Sequence, residues 1–215
     1  MKTPLTVTVL GLAWCGAAWA QTWEVWVSRI YPRIHSTSLG SISEESKKDD
    51  DTQLKARDGY GARLSWNTRG YYGHELGFNY NRARLTAKTR TTVGRETVTT
   101  VLEDRIAVRQ AYYNFLMYMM PKGERWRPYL TGGAHAVEYG APGFEQWPTS
   151  KSRHYGFNYG GGIKLRLFPH ALVRLDVRYY FSGKPYDLEG ADPMKMGGRL
   201  GQIEASAGIG ITFKK

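Results

Sequence analysis

The sequence predicts an all-β protein: an eight-stranded antiparallel up-and-down β-barrel that spans a membrane. Eight segments alternate apolar and polar residues with a period of two, which is the side-chain period of a strand and not of a helix. The connections between these segments alternate between long and short, as they do in barrels of the bacterial outer membrane. The first twenty residues have the pattern of an export signal.

The N-terminal pattern begins with the basic Met1-Lys2 pair and continues with an apolar stretch over residues 5–17. Ala18-Trp19-Ala20 then forms a small-x-small cleavage site. The sequence therefore predicts a cleaved signal peptide over residues 1–20 and a single barrel domain over residues 21–215. Cleavage would remove Cys15, the only cysteine, which excludes disulfides and cysteine-based zinc sites from the mature chain.

The alternation is clearest in the last segment. There Ile203, Ile209 and Phe213 share one face, and Glu204 and Thr212 share the other. In the fifth predicted strand, residues 126–139, the alternation of apolar and polar residues changes phase near Gly132-Gly133, which predicts a β-bulge at that point. The eight predicted strands cover residues 22–33, 59–67, 74–81, 105–118, 126–139, 154–167, 173–182 and 202–213.

The lengths of the connections predict how the barrel is oriented. Long connections follow the odd-numbered predicted strands, and short turns follow the even-numbered ones. Outer-membrane barrels place short turns on the periplasmic side and long loops outside, so both chain ends are expected on the periplasmic side. The long connections cover residues 36–56, 83–104, 140–153 and 183–200.

Period two does not tell the inner face of a barrel from the outer one, and a soluble lipocalin-like carrier also has eight strands. The interior of such a barrel is just wide enough for side chains, and the Tyr, Phe and Trp residues of the apolar faces are bulky for it. We therefore expect the apolar faces to contact lipid and the polar faces to line the lumen. Charges of both signs are expected to pair there as a network. Its predicted members are Arg63, Glu75, Lys164, Arg166, Arg174, Asp176, Arg178 and Glu204.

Four segments carry a family resemblance: RPYLTGGAHA, HYGFNYGGGIKLRL, LVRLDVRYYF and the final IEASAGIGITF. Together with the export signal and the eight strands, they resemble the small outer-membrane β-barrel domain family of OmpA/OmpX type over residues 22–213. The resemblance implies an outer-membrane location in a Gram-negative-type bacterium and folding by the barrel-insertion machinery. That machinery reads a terminal aromatic residue, and here Phe213 is followed by Lys214-Lys215. No peptidoglycan-binding domain is expected after the barrel.

The leading functional expectation is a monomeric barrel with a structural or surface-interaction role, similar to adhesion, with a filled lumen and no cofactor. A small-solute porin, a lipid A-modifying enzyme and a soluble carrier are the alternatives. The best catalytic candidate is His154, which lies close to Ser150 and Ser152. A polar loop at the start of a strand explains these three residues better, so no enzymatic activity and no metal site are expected.

The net charge of +11 needs an explanation. Nucleic acid is not expected for an exported barrel, and the nearest dense anions outside the membrane are lipid phosphates. Arginine suits bidentate phosphate contact. We therefore expect Arg82, Arg84, Lys88 and Arg90 to contact the phosphates of lipopolysaccharide. The alternative is a solvated basic loop.

Residues 83–104 are rich in Thr and Val, which favour strands, and Gly94-Arg95 divides them as a turn would. The sequence predicts that the third and fourth strands continue beyond the membrane as one hairpin, from His74 to Thr92 and from Glu96 to Tyr118. The exposed edge of that hairpin could capture an extended segment of another protein by strand addition. A long mobile polar loop is the alternative.

Overall fold

The computed structural model describes residues 22–35, 38–40, 52–68, 70–93, 95–144, 151–186 and 199–214. The predicted signal peptide, residues 1–20, lies outside these residues. Within the described ranges there is no helix long and apolar enough to cross a membrane.

Eight long strands and one short strand make up the described structure. The short strand, β2, pairs only with the beginning of the strand that follows it. The strands are β1 (Thr22–Ile34), β2 (Ser38–Gly40), β3 (Thr52–Asn67), β4 (Tyr72–Val93), β5 (Glu96–Tyr118), β6 (Trp126–Tyr139), β7 (Ser152–Arg166), β8 (Ala171–Gly183) and β9 (Arg199–Lys214).

The eight long strands close into a barrel in which each strand is antiparallel to its sequence neighbours, and β1 pairs with both β3 and β9. Following the register once around the barrel from Trp23 leads back to β1 at Arg33, ten residues further along the strand. Such a stagger tilts the strands by about 40° from the barrel axis, as in small membrane barrels. The predicted fold class is confirmed.

Each long strand exposes large apolar residues on the outside of the barrel. On β1, Trp23, Val25 and Val27 are 38%, 46% and 59% exposed, whereas Trp26 and Ile30 on the opposite face of the strand are buried. The remaining strands continue this apolar band, which contradicts the alternative of a soluble carrier with an apolar interior. Its large members on the other strands include Tyr60, Leu64, Leu76, Phe78, Tyr113, Phe115, Leu130, Phe157, Leu175, Val177, Ile209, Ile211 and Phe213.

The predicted bulge at Gly132-Gly133 is wrong. The register of β6 runs through both glycines without a shift, on the β5 side and on the β7 side. The apparent phase change arises because Tyr129, Val137 and Tyr139 point into the barrel although they are apolar. Among the pairings of the long strands, the register shifts instead between Ala56 and Gly59 of β3, a strand that begins seven residues before its predicted start.

The predicted hairpin is confirmed. β4 and β5 pair without interruption from Tyr72–Met117 to Val93–Glu96. β3 stops pairing with β4 at Ala87, and β6 stops pairing with β5 at Val108. The two strands therefore continue beyond the rest of the barrel as a two-stranded ribbon.

The assignment of the faces predicts how the barrel responds to a charge at different depths. Ala62 faces outward between Val27 and Phe78, in the middle of the apolar band. Ala62→Arg is expected to lower the free energy of unfolding by about 2–4 kcal/mol, measured by denaturant titration in lipid vesicles.

Ala171→Arg is the matched control, because Ala171 faces outward at the short-turn end of β8. There the same substitution is expected to cost only about 0–1 kcal/mol. Equal costs for the two variants would contradict the assignment of the lipid-facing side.

Candidate functional site

The middle of the barrel interior holds five buried charged side chains. Arg174, Asp176 and Arg178 follow each other at a spacing of two on β8, which places all three on its inner face. Arg63 of β3 and Glu75 of β4 reach them from across the lumen. None of the five is more than 5% exposed.

Both carboxylates are shared between guanidinium groups. Asp176 Oδ2 accepts hydrogen bonds from Arg63 at 2.6 Å and from Arg174 at 2.9 Å, and its Oδ1 accepts one from Arg178 at 3.0 Å. Glu75 accepts from Arg178 at 2.7 Å and also from Arg174. Ion pairs therefore connect opposite walls of the barrel, and we call these five residues the central ion network.

A second polar layer lies nearer the short-turn end. Lys164 Nζ donates to Glu24 Oε2 and to the hydroxyl of Tyr118, each at 2.6 Å. Tyr118 packs against Tyr129, and the guanidinium of Arg127 lies 3.7 Å from the centre of the Tyr118 ring. The sequence analysis missed Glu24, although its position between the lipid-facing Trp23 and Val25 places it in the lumen.

Two of the predicted network residues, Glu204 and Arg166, lie in neither of these two layers. Glu204 is buried, but its carboxylate accepts hydrogen bonds from Asn79 at 2.8 and 3.0 Å and from Tyr180. No cation among the described residues forms an ion pair with it. Arg166 donates to the carbonyl oxygen of Gly123, in the turn after β5, so it lies at the short-turn rim and not in the central ion network.

The opposite end of the interior is apolar, which the sequence analysis did not predict. Ten buried residues from the strands and the long connections meet there in one cluster, which we call the outer lid. Tyr186 lies in the connection after β8, where its burial raises the pKa of its hydroxyl, and that hydroxyl donates to the carbonyl oxygen of Gly140. The members are Leu39, Leu54, Ala83, Leu85, Ile106, Val108, Val137, Tyr139, Tyr186 and Leu200.

The catalytic candidate contributes to this lid. Ser152 Oγ and His154 Nε2 are 2.7 Å apart at the start of β7, and Ser152 Oγ also accepts the backbone N–H of Tyr186 at 3.2 Å. The pair therefore helps to hold Tyr186 in place within the outer lid. Ser150 lies outside the described residues. No three His, Cys, Asp or Glu side chains of the described chain come close enough together to hold a metal ion.

The predicted lipopolysaccharide contacts lie on the outer face of β4. Arg82, Arg84 and Lys88 are exposed there, and the side chain of Arg90 lies outside the described residues. The register sets Arg84 directly opposite Lys55 of β3 and Arg105 of β5. Like charges in such a cross-strand row repel each other. The exposed ion pair between Arg84 and Glu103, at 3.8 Å, offsets this repulsion only in part.

Comparisons with known proteins agree with this architecture. A family described as outer membrane protein beta-barrel domain matches residues 6–211. The comparison with curated proteins finds no match. The outer membrane protein OprG of Pseudomonas aeruginosa has a TM-score of 0.52 at 12% identity, over 92% of this chain and 97% of that one.

Two further solved structures are similar at lower TM-scores. Neisserial surface protein A has a TM-score of 0.49 at 13% identity, over 89% of this chain and 97% of its own. The attachment invasion locus protein Ail of Yersinia pestis, solved with the heparin analogue sucrose octasulfate, has a TM-score of 0.49 at 11% identity, over 91% of this chain and 99% of its own. At such identities the likeness shows the fold alone.

The central ion network predicts a large effect of removing one carboxylate. Glu75→Gln keeps the side-chain shape but leaves Arg174 and Arg178 each without one charged partner in a buried site. We expect the free energy of unfolding in lipid vesicles to fall by about 3–5 kcal/mol.

Glu103→Gln is the matched control, because it removes the same group from an exposed ion pair. It is expected to change the free energy of unfolding by at most about 0.5 kcal/mol. If Glu75→Gln were as mild as this control, the central ion network would contribute no net stability.

Proposed function

The chain belongs to the outer membrane protein beta-barrel domain family, and from this premise we propose that it is a non-conducting membrane anchor that presents the β4–β5 hairpin to other proteins at the cell surface. The export signal over residues 1–20 delivers it, the barrel-insertion machinery inserts it, and it acts as a monomer without a catalytic role. The observation that carries the proposal is the unpaired edge of the hairpin.

Three layers of buried side chains support the absence of conduction. Lys164, Glu24 and the tyrosines fill one end, the central ion network bridges the middle, and the outer lid fills the other end. A hydrated ion would have to separate buried ion pairs. Each charged side chain of such a pair needs its partner to offset the cost of its desolvation. Small-solute transport through the lumen is therefore the weaker candidate.

The described tip of the hairpin on the β5 side has no packed face. Residues 95–101 are all exposed, and Val98 and Val101 are each 53% exposed although they point to opposite sides of the ribbon. An isolated two-stranded ribbon is only marginally stable in water, and a third strand along its edge stabilises it. A protruding ribbon rich in Thr and Val is therefore suited to take up an extended segment of a partner protein.

The free edge of β5 can be identified atom by atom. The carbonyl oxygen of Ala107 accepts the N–H of Gly140, so this carbonyl points to the β6 side. Because an antiparallel strand turns alternate residues to alternate edges, the odd-numbered residues Thr97, Thr99 and Val101 also direct their N–H and C=O groups to that side. Within the described chain no strand pairs with them there.

The basic residues on the same face of β4 support a second contact of the anchor. Arg82, Arg84 and Lys88, together with Arg90 further along the strand, would lie among the lipopolysaccharide headgroups that surround an outer-membrane barrel. Phosphate oxygens there would relieve the repulsion in the Lys55–Arg84–Arg105 row. This contact orients the hairpin relative to the membrane surface.

The filled interior predicts negligible conductance in planar lipid bilayers. Tyr186→Ala, which thins the outer lid, is expected to stay closed as well, because the central ion network lies beneath the lid. Discrete, reproducible channel openings of the unmodified protein would contradict a non-conducting anchor and favour the porin alternative.

Strand addition predicts a selective effect of proline at the hairpin edge. Thr99→Pro removes an N–H that faces away from β4, so the β4–β5 ladder keeps all its bonds while the edge loses a donor. A fluorescent peptide with the sequence of residues 96–104 serves as the extended probe. Binding of this peptide to the vesicle-inserted barrel is followed by fluorescence anisotropy. We expect Thr99→Pro to bind it about 10-fold more weakly than the unmodified protein does.

Thr99→Ala is the control, since it removes the same side chain and keeps the N–H; we expect it to bind the peptide as the unmodified protein does. Amide exchange of residues 96–104 is measured in both variants to check that the hairpin persists. Equal binding by Thr99→Pro and Thr99→Ala, with the hairpin intact, would refute strand addition at this edge.

A further inference from the structure

A basic pocket opens on the outer surface of the barrel where β1, β3, β4 and β5 pass one another. Its volume is about 650 Å³. Among the described residues, a single carboxylate, that of Asp58, lies in its wall, and two tyrosines, Tyr60 and Tyr80, form part of its lining. Five guanidinium groups complete the charged lining: Arg29, Arg33, Arg57, Arg82 and Arg105.

The backbone of β3 creates this pocket. The register of β3 against β4 shifts between Ala56 and Gly59, and the two residues between them, Arg57 and Asp58, are both exposed. At Gly59 the strands come together again, so closely that a Cβ would lie 2.2 Å from the carbonyl oxygen of Tyr80. The concavity is therefore fixed by the sheet and not by mobile side chains.

Within the part of the chain that the structure describes, the charges of the pocket are not balanced. Asp58 lies 3.8 Å from Arg29 and 3.5 Å from Arg33, so two guanidinium groups share one carboxylate. Among the described residues, no carboxylate forms an ion pair with Arg57, Arg82 or Arg105. Because arginine keeps its charge at any physiological pH, this surplus calls for an external anion.

The pocket lies at the boundary of the lipid-facing band. Tyr60 and Tyr80 are directly opposite each other in the register, and the next outward pair on the same strands is the apolar Ala62 and Phe78. The guanidinium of Arg29 lies 4.6 Å from the centre of the Tyr60 ring. Aromatic residues mark the membrane interface of such barrels, so the arginines stand at the depth of lipid headgroups.

An apolar groove on the other side of β1 indicates where the rest of such a lipid would lie. The groove has a volume of about 390 Å³ and begins at Tyr31, two residues from both Arg29 and Arg33. Small residues of β7 and β9, among them Gly161, Ala205 and Ala207, form its floor. The large apolar side chains of its lining, Tyr31, Leu175 and Val177, are exposed on the side of the barrel that contacts acyl chains.

We infer that the pocket between β1, β3, β4 and β5 binds a phosphate group of one lipid A molecule in the outer leaflet, whose acyl chain lies in the groove beside β1. A phosphate monoester carries up to two negative charges and accepts bidentate hydrogen bonds from arginine. This site rests on the proposed lipopolysaccharide contact but uses a different set of residues, of which only Arg82 is shared.

The test compares the unmodified protein with the pocket variant Arg33→Gln/Arg82→Gln/Arg105→Gln in detergent micelles. Bisphosphorylated lipid A, dephosphorylated lipid A and inorganic phosphate are the three probes, and the thermal midpoint at increasing probe concentration gives the affinity. For the unmodified protein we expect stabilisation by bisphosphorylated lipid A alone. The pocket variant is expected to bind it about 10-fold more weakly or worse.

Lys151→Gln/Arg153→Gln/Lys184→Gln is the control, because it removes three positive charges from the outer ends of β7 and β8, across the barrel. This control is expected to bind lipid A as the unmodified protein does. If both triple variants bound lipid A equally weakly, the loss of affinity would be a general effect of charge and the pocket assignment would be wrong. Equal stabilisation by inorganic phosphate would refute a lipid ligand.

Arg84→Gln/Lys88→Gln separates the pocket from the broader lipopolysaccharide contact. If this variant binds lipid A weakly and the pocket variant binds it normally, the contact through β4 stands and the pocket assignment is wrong. If the pocket variant alone is impaired, the site is at the register shift of β3. Neither outcome depends on peptide binding at the hairpin edge.

Discussion

Ion pairs across the lumen constrain the rest of the barrel. Removing a carboxylate or a guanidinium from water costs several kcal/mol, and only close partners offset that cost. Arg174, Asp176 and Arg178 can find those partners only if β8 turns their shared face towards Glu75 and Arg63. A slip of one residue would turn all three towards lipid, so the ion pairs specify the register as well as stabilising the interior.

We propose that this interior leaves function to the outside of the barrel. Charged residues lie in the middle of the lumen, Lys164 and tyrosines lie at one end and the outer lid lies at the other. In this proposal these layers block a continuous polar route. Two external surfaces carry groups that lack a full set of partners among the described residues. They are the backbone edge of the hairpin at Thr97, Thr99 and Val101, and the arginines around the register shift of β3. One suits an extended polypeptide and the other suits an anionic lipid.

Period two was enough to predict the fold and most of the faces, because lipid selects apolar residues at every second position. It failed where the lumen itself is apolar: Tyr129, Val137 and Tyr139 point inward, and they made β6 look as if it contained a bulge. The ends of the long hairpin were predictable because Thr-rich and Val-rich sequence continues on both sides of Gly94-Arg95.

The site was predictable only in part, since pairing across the barrel depends on register. The members of the central ion network stand out as charges in strands, but the sequence does not show that Lys164 pairs with Glu24 or that Glu204 bonds to Asn79. The register shift at Arg57 and Asp58 depends on how β3 pairs with β4. The pocket around it therefore cannot be predicted from the sequence of either strand alone.

The accessibility of the lumen tests the central claim most directly. Ser206 bonds to Arg63 beside the central ion network, and Thr97 is exposed on the hairpin. When the chain is prepared without residues 1–20, and so without Cys15, Ser206→Cys and Thr97→Cys each carry a single thiol that a charged, water-soluble thiosulfonate can report. The account predicts rapid labelling at position 97 and none at position 206 in the folded barrel. Rapid labelling at both positions would show an open, hydrated lumen and contradict it.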